Sequence, residues 1–562
     1  MKRIISVMLC CAMAVTALCA CQKDNNSSSN GSGAESMSKQ GEFVYNDPIN
    51  TLTPIASQDK YRNVYELLLY TYSDSNGDET GDINGLISKL DYLNDGDPAS
   101  GEDLGVDAIW MLPFTAAKSY HKYDTYDYYQ VDEEYGTLED FKKLTDECHK
   151  RGIKVIMDLV LNHTSTEHEW FKKAREELAN GKTDGYAQMY SLIYSEDKPA
   201  YFAGVPEAEN WWYECNFMPS FPELNLSSDK TRKEIEKIIK YWTENGVDGF
   251  RLDGVKYYNS VNKESTDKTD AIEFLSWLNE TAQKYNPDVY FVGELWDSST
   301  TIKKTYASGI DSLFNFDGSG STGKFANAIK TNNVYKMISG IKRFQDAALE
   351  RNENYIDAHF LSNHDQMRIA DTLTEPYEQK LAAAMYMLSP GNSFIYYGEE
   401  LGMGGTIGTQ DASYRTAMVW SSTDSDTAAG PPPGYEVPNI PEGGGVKEQL
   451  KDSESVLNFY RRIIKLKEIN PEIARGRITQ ALDLGNPKQA GFAVEYNNEI
   501  KVVLFNIANE TVTVELPDDI LKNIELYGDL YAGNTDDYKK LKIEGNSITM
   551  PEYSVVVLGE KK

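Results

Sequence analysis

The feature that most limits how this chain can fold is a series of eight short β-type runs, each ending in or near polar residues and separated by amphipathic helical stretches. The runs are "VYELLLYTY", "VDAIWMLPF", "IKVIMDLVLNH", "VDGFRLDG", "VYFVGELWD", "DSLFNFD", "DAHFLSNHD" and "SFIYYGEE". Strand and helix patterns in alternation predict parallel strands joined by crossover helices. Eight such units close into a (β/α)8 TIM barrel, whose active site is built at the C-terminal ends of the strands. Asp158, Asn162, Asp253, Glu294, Asp365 and Glu399 fall at those ends. A doubly wound sheet is the rival arrangement, but no glycine-rich phosphate loop follows the first run.

The regions around the barrel read differently. "MKRIISVMLCCAMAVTALCAC" has two cations, an apolar run and small residues, which predicts a secretory signal over 1–20. Leu18-Cys19-Ala20-Cys21 resembles the bacterial lipobox, implying acylation of Cys21 and a lipid anchor on the extracellular face of the cell envelope; without use of that motif the chain would be secreted. Residues 21–43, rich in Ser, Gly and Asn, predict a flexible tether. Barrel residues 44–163 and 226–474 flank an aromatic-rich insert, 164–225, too long for an ordinary βα connection. Short alternating runs over 475–562 predict a C-terminal antiparallel β-sandwich. A net charge of −31 repels nucleic acid and anionic lipid, so contact with a membrane is expected through the anchor alone. Besides Cys21, the expected mature chain keeps only Cys148 and Cys215, which excludes a disulfide framework and leaves one bridge or two thiols open.

Asp253, Glu294 and Asp365 end three different predicted strands and would project into one cup. Retaining glycoside hydrolysis needs one carboxylate as nucleophile and a second as acid and then base, and a third can hold sugar hydroxyls. Arg251 lies two residues before Asp253 and shares its face. His163 and His364 stand at strand ends beside these acids. The chain has no H-E-x-x-H and no paired-Cys spacing, so sugar hydrogen bonding suits the histidines better than zinc.

"DLVLNH" (158–163), "GFRLDGVKY" (249–257), "GELWD" (293–297) and "FLSNHD" (360–365) resemble, in order and spacing, the four sequence regions of the α-amylase family, glycoside hydrolase family 13. "GVDAIWMLP", "YDTYDYYQVDEEYGT", "YYGEELGM" and "YRTAMVW" extend the resemblance. It implies Asp253 as nucleophile, Glu294 as general acid/base and Asp365 as transition-state stabiliser. It also implies sugar contacts from Arg251, His163 and His364, a stacking platform at Tyr123, and α-glucan substrates such as maltooligosaccharides and starch. Lys256 in "DGVKYY" would touch a sugar on the leaving-group side. Arg415 is present, but Tyr120 stands where exo-acting relatives have an Asp. "FPELN" (221–225) ends in Asn, as on the neopullulanase and oligo-1,6-glucosidase side. An α-1,4 hydrolase is the first expectation, an α-glucosidase, neopullulanase-like enzyme or glucanotransferase the second. A lipid-anchored glucan-binding protein without catalysis would not need the three acids together.

The stretch "YSDSNGDETGDINGL" (72–86) places side-chain oxygens at every second position, yet lacks the Gly and Glu of an EF-hand. The resemblance implies a metal loop after the first strand, with Asp74, Asn76, Asp78 and Asp82 as ligands and the Thr80 carbonyl as another. These hard oxygens suit a structural Ca2+. Oligomeric state is not encoded in any motif.

Overall fold

The computed structural model describes residues 62–561 apart from 98–100, 407, 409, 425–426 and 534–539. The expected signal, Cys21 and the tether lie outside the described residues.

All eight expected barrel strands are present: β1 (Asn63–Leu67), β2 (Ala108–Met111), β3 (Lys154–Leu159), β4 (Gly249–Leu252), β5 (Tyr290–Gly293), β6 (Ser312–Leu313), β7 (Ala358–Phe360) and β8 (Asn392–Tyr396). They form one parallel sheet in the order β6-β5-β4-β3-β2-β1-β8-β7, and a parallel bridge between Phe314 and Ala358 spans the remaining gap. The strands are shorter than the apolar runs. In "VYELLLYTY", for example, pairing stops at Leu67 and a 3-10 turn, Leu69–Thr71, carries the chain outward.

Rings from opposite walls fill the interior. Trp110 of β2 lies 5.3 Å from Phe314, which in turn lies 4.8 Å from Phe394 of β8 and 5.4 Å from Phe360 of β7. These rings are buried and floor the space into which the strand-end acids project. The outer helices follow the expected period. In Leu138–Lys150, Phe141, Leu144, Thr145 and Cys148 make one buried stripe at i, i+3, i+4 and i+7. Thr137 and Asp140 close a capping box at its start, worth about 1 kcal/mol.

After β3 comes the inserted domain, a three-stranded antiparallel sheet of Leu192–Tyr194, Phe202–Gly204 and Trp211–Glu214. Antiparallel bridges His163–Glu223 and Tyr190–Leu224 tie its return strand to the end of β3 and to the insert. Cys148 and Cys215 are buried free thiols, which decides against a bridge between them.

The C-terminal region pairs a five-stranded antiparallel sheet with a three-stranded one. Its central strands are buried on both faces. In Glu499–Asn506, Val503 and Phe505 join the main core, while Val502 and Leu504 join a second core with Val514, Ile548, Met550, Val556 and Leu558. The period of two divides one strand between two cores. Among the described residues no helix is long and apolar enough to cross a membrane.

Candidate active site

Five strands deliver most of the key charged side chains to one place. Arg251 on β4 and Asp253 just past its end are two residues apart, and Arg251 Nη1 donates to Asp253 Oδ1 at 2.7 Å. Its Nη2 lies 3.0 Å from Oε2 of Glu294, which follows β5. From β3, Asp158 receives Nη1 on both oxygens at 3.0 and 3.1 Å. The guanidinium is wholly buried over the Trp110 ring, 5.1 Å from its centroid. Immediately after Asp253, Gly254 adopts φ 59° and gives its N–H to Glu294 Oε2 at 2.9 Å. That left-handed turn suits glycine and lets the backbone itself hold the second acid.

Asp365, beyond β7, is bracketed by two cations. Arg415 Nη2 reaches its Oδ1 at 2.6 Å and His364 Nε2 its Oδ2 at 3.0 Å. His364 donates through Nδ1 to Glu66 on β1 at 2.6 Å. Tyr123 places its hydroxyl 2.8 Å from His364 Nε2 and donates to Asp158 Oδ2 at 3.1 Å. The side chains of Asp253, Glu294 and Asp365 are 10%, 13% and 25% exposed, whereas Arg251 and His364 are 0%. The three acids are therefore the most accessible charged groups of the cluster.

Five carboxyls, Glu66, Asp158, Asp253, Glu294 and Asp365, meet three cations, Arg251, His364 and Arg415. This excess of negative charge is relieved unevenly. Burial pushes Glu294 up to about 7, against the pull of Arg251 and with help from Asp253 and Asp365. Asp158 is pushed up to about 6, again chiefly by burial. For Asp365 burial acts upward too, but His364 and Arg415 outweigh it and hold the carboxyl well below the usual range. Burial would discharge His364, yet Asp365 and Glu66 raise it to about 9. Glu294, raised to about 7, thus stands near an Asp365 held low, a division of roles that acid–base chemistry at a sugar can use.

The other expected contacts lie around this centre. Tyr123 is nearly buried, with its ring stacked on His364 at 5.8 Å between centroids. His163 donates through Nε2 to the Tyr123 carbonyl at 3.2 Å and stacks on Phe221 at 4.6 Å. Burial keeps that imidazole below its ordinary pKa, so it serves as a neutral ring. Lys256, on the turn Val255–Tyr257, is half exposed, with Nζ 3.9 Å from Asp297. Glu399 falls outside the cluster and is bound by Tyr386 and Tyr460 at 3.0 Å each. Sequence reasoning missed Glu66 and Trp110. It weighed Arg415 only as a grip on a chain end, whereas its guanidinium holds Asp365 and the Tyr120 hydroxyl.

The 72–86 loop binds its own backbone. Asp74 accepts from the N–H groups of Asn76, Gly77 and Glu79, Asn76 from Asp78, and Asp78 from Thr80. Asp82 accepts from Ser75 and caps the helix Ile83–Ile87 through Gly85 N–H at 2.7 Å. Slight burial acts upward on Asp74, but the backbone donors hold it below its usual value. Among the described residues no group of three His, Cys, Asp or Glu stands ready-made for a metal ion. The donors are all hard oxygens nonetheless, the set Ca2+ takes.

With this geometry in view, the family profile described as "Alpha amylase, catalytic domain" matches residues 67–476, from the end of β1 through the barrel. The chain belongs to the alpha-amylase family. This amylase-family glycosidase is 32% identical over 511 residues to Alpha-amylase 3 of Dictyoglomus thermophilum, spanning 89% of this chain and 93% of that protein. It is 27% identical to an oligo-1,6-glucosidase of Bacillus cereus, over 81% and 92% of the two chains. Among solved structures, Eubacterium rectale Amy13B is 36% identical with a TM-score of 0.82, covering 91% of this chain and 97% of its own. The α-amylase from H. orenii follows at 32% and 0.77, covering 90% and 100%.

Proposed function

We propose that this family member is a retaining hydrolase of α-1,4 bonds in starch and maltooligosaccharides. The observation that carries this reading is one buried guanidinium lying against both Asp253 and Glu294, with Glu294 pushed up to about 7 by burial. In the first step Glu294 gives its proton to the glycosidic oxygen while an Asp253 oxygen attacks the anomeric carbon, forming a covalent β-glycosyl ester and releasing the leaving sugar. Glu294, now ionised, takes a proton from water, which attacks the same carbon and frees Asp253. Asp365, kept ionised by His364 and Arg415, receives hydroxyls beside the cleaved bond. Lys256 contacts the leaving-group side, and His163 and Tyr123 contact the sugar that Asp253 holds.

Two observations favour cleavage within a chain. Arg415 is engaged by Asp365, and Tyr120 stands where an acid would grip a chain end. Asn225 at the end of "FPELN", and relatives named as oligo-1,6-glucosidases, favour a second reading as a neopullulanase-like or 1,6-acting enzyme. Product analysis on starch, pullulan, maltotriose and isomaltose separates them. Maltose and glucose from starch with isomaltose untouched supports the first; isomaltose cleavage without starch cleavage overturns it. Products longer than maltotriose from maltotriose alone would mark a glucanotransferase.

The first βα loop is the proposed seat of a structural Ca2+, held by Asp74, Asn76, Asp78, Asp82 and the Thr80 carbonyl. The ion would supply fixed positive charge to a loop rich in acids, and its effect falls on stability. Chelation should lower Tm by a few degrees and leave the initial turnover rate within about twofold; an unchanged Tm removes calcium from the loop. The lipid anchor at Cys21 remains part of the proposal, testable by labelling cells with a fatty acid and comparing Cys21→Ser.

A further inference from the structure

Apart from the cup, the inserted domain makes a second concave surface. A cavity of about 460 Å3 opens between the insert's sheet, the turn Tyr186–Met189, the start of the helix Asp229–Glu244 and the loop at Thr266. Its size is in the range of small-ligand sites. Thr183, Gln188, Trp211, Asn225, Ser228 and Thr266 line it, with Asp229 the one charged side chain of the lining. None of these residues belongs to the active-site cluster.

The wall is made of two kinds of surface. Trp211 offers a partly exposed ring, set edge-on to Tyr194 at 5.4 Å, and Tyr194 is itself 60% exposed. Opposite stand neutral hydroxyls and amides. Ser228 Oγ is buried with no hydrogen-bond partner among the described residues, although Ser228 occupies the cap position of a sixteen-residue helix. A serine there ordinarily bonds the helix's first N–H groups, so a buried hydroxyl left without a partner is a cost that a ligand would relieve. The walls are fixed to one another. Leu192 N–H donates to Thr266 Oγ1 at 2.9 Å, Thr266 N–H donates to the Leu192 carbonyl at 2.7 Å, and Asn225 Oδ1 holds Ser227 at 2.6 Å.

We infer that this cavity is an accessory binding site for a neutral oligosaccharide, and, resting on the functional reading above, for a second stretch of the α-glucan substrate. Sugar rings present apolar faces to an aromatic ring and hydroxyl rims to amides and hydroxyls, the two surfaces found here. Asp229 and the −31 charge of the chain disfavour an anionic ligand. Held at two places, a long glucan would bind more tightly than a short one.

The test compares the parent with Trp211→Ala and Gln188→Ala. Gln188 is an exposed lining residue whose loss spares the core, so it decides the matter if the tryptophan variant fails to fold. In an Asp253→Asn background, retardation in native gels containing soluble starch should weaken about threefold for each variant, because one of two attachment points is lost. In the active background, kcat/KM on maltotriose should stay within about twofold of the parent. Unchanged retardation in both variants overturns the accessory site, as does an equal loss on maltotriose. If the active parent cleaves no α-glucan while the variants still lose retardation, the functional reading falls and the binding site stands.

Discussion

At the C-terminal end of the barrel strands, His364 is raised to about 9 and Asp365 is held low, so both keep their charge, the first wholly buried and the second largely so. At the N-terminal end, the same burial has the opposite result. Lys467, on the helix Val456–Ile469, lies 2.7 Å from Ser393 Oγ and 3.4 Å from the Arg62 carbonyl. Burial, with Arg475 and Arg62 adding to it against Asp107, holds that amine well below the lysine range. The adjacent Glu468 is pushed up to about 7 and Asp107 is raised, again mainly by burial. What separates the two ends is partner geometry. Asp365 meets an imidazolium and a guanidinium at 3.0 and 2.6 Å, while Lys467 meets a hydroxyl and a carbonyl. At these two places the charge is favoured where two opposite charges sit within hydrogen-bond reach, and disfavoured where only dipoles do.

The largest way to break this contrast is at Glu294, which burial raises to about 7. Glu294→Gln should lower kcat by about a thousandfold or more while starch binding persists, because the amide keeps the Gly254 contact but has no proton to give. Retained turnover would move the acid role elsewhere. A pH profile sharpens the same point. Glu294 must carry its proton in the free enzyme, so kcat/KM should fall as pH rises through about 7, roughly tenfold per unit beyond it. A plateau extending to pH 9 would break the link between its burial and its role.

The barrel and the three acids were readable because each depends on local pattern: apolar runs of strand length, and polar residues just past their ends. The partners of those acids were less so. Glu66 sits inside "VYELLLYTY" and reads as a polar interruption; its role exists only because β7 carries His364 to it across 298 positions of sequence. Trp110 reads as one more core aromatic, since nothing local tells that a guanidinium lies over it. Lys467 reads as a solvent-facing residue of "RRIIKLKEI", and only the closing of that helix over the base of the barrel buries it. Of the accessory cavity only Asn225, at the end of "FPELN", fell in a motif, because four separate segments make its walls.

The mildest test is at the base itself, and its sign distinguishes the two ends. Lys467→Met replaces the amine with a side chain of similar reach that cannot be charged. In the folded parent the amine's pKa is held well below the lysine range, whereas in the unfolded chain it is protonated up to a pKa of about 10.4. Between its depressed folded value and that pH the unfolded state binds the extra proton, so this site contributes less stability as pH falls. Methionine removes that linkage and loses the bond to Ser393 Oγ, worth about 1 kcal/mol. The variant's Tm should therefore exceed the parent's near pH 6, and the difference should shrink and reverse slightly toward pH 10, with kcat/KM unchanged throughout. Comparing the two proteins at each pH cancels the titrations they share. A deficit that grows as pH falls would mean that Lys467 stays charged at the base, as His364 does at the top.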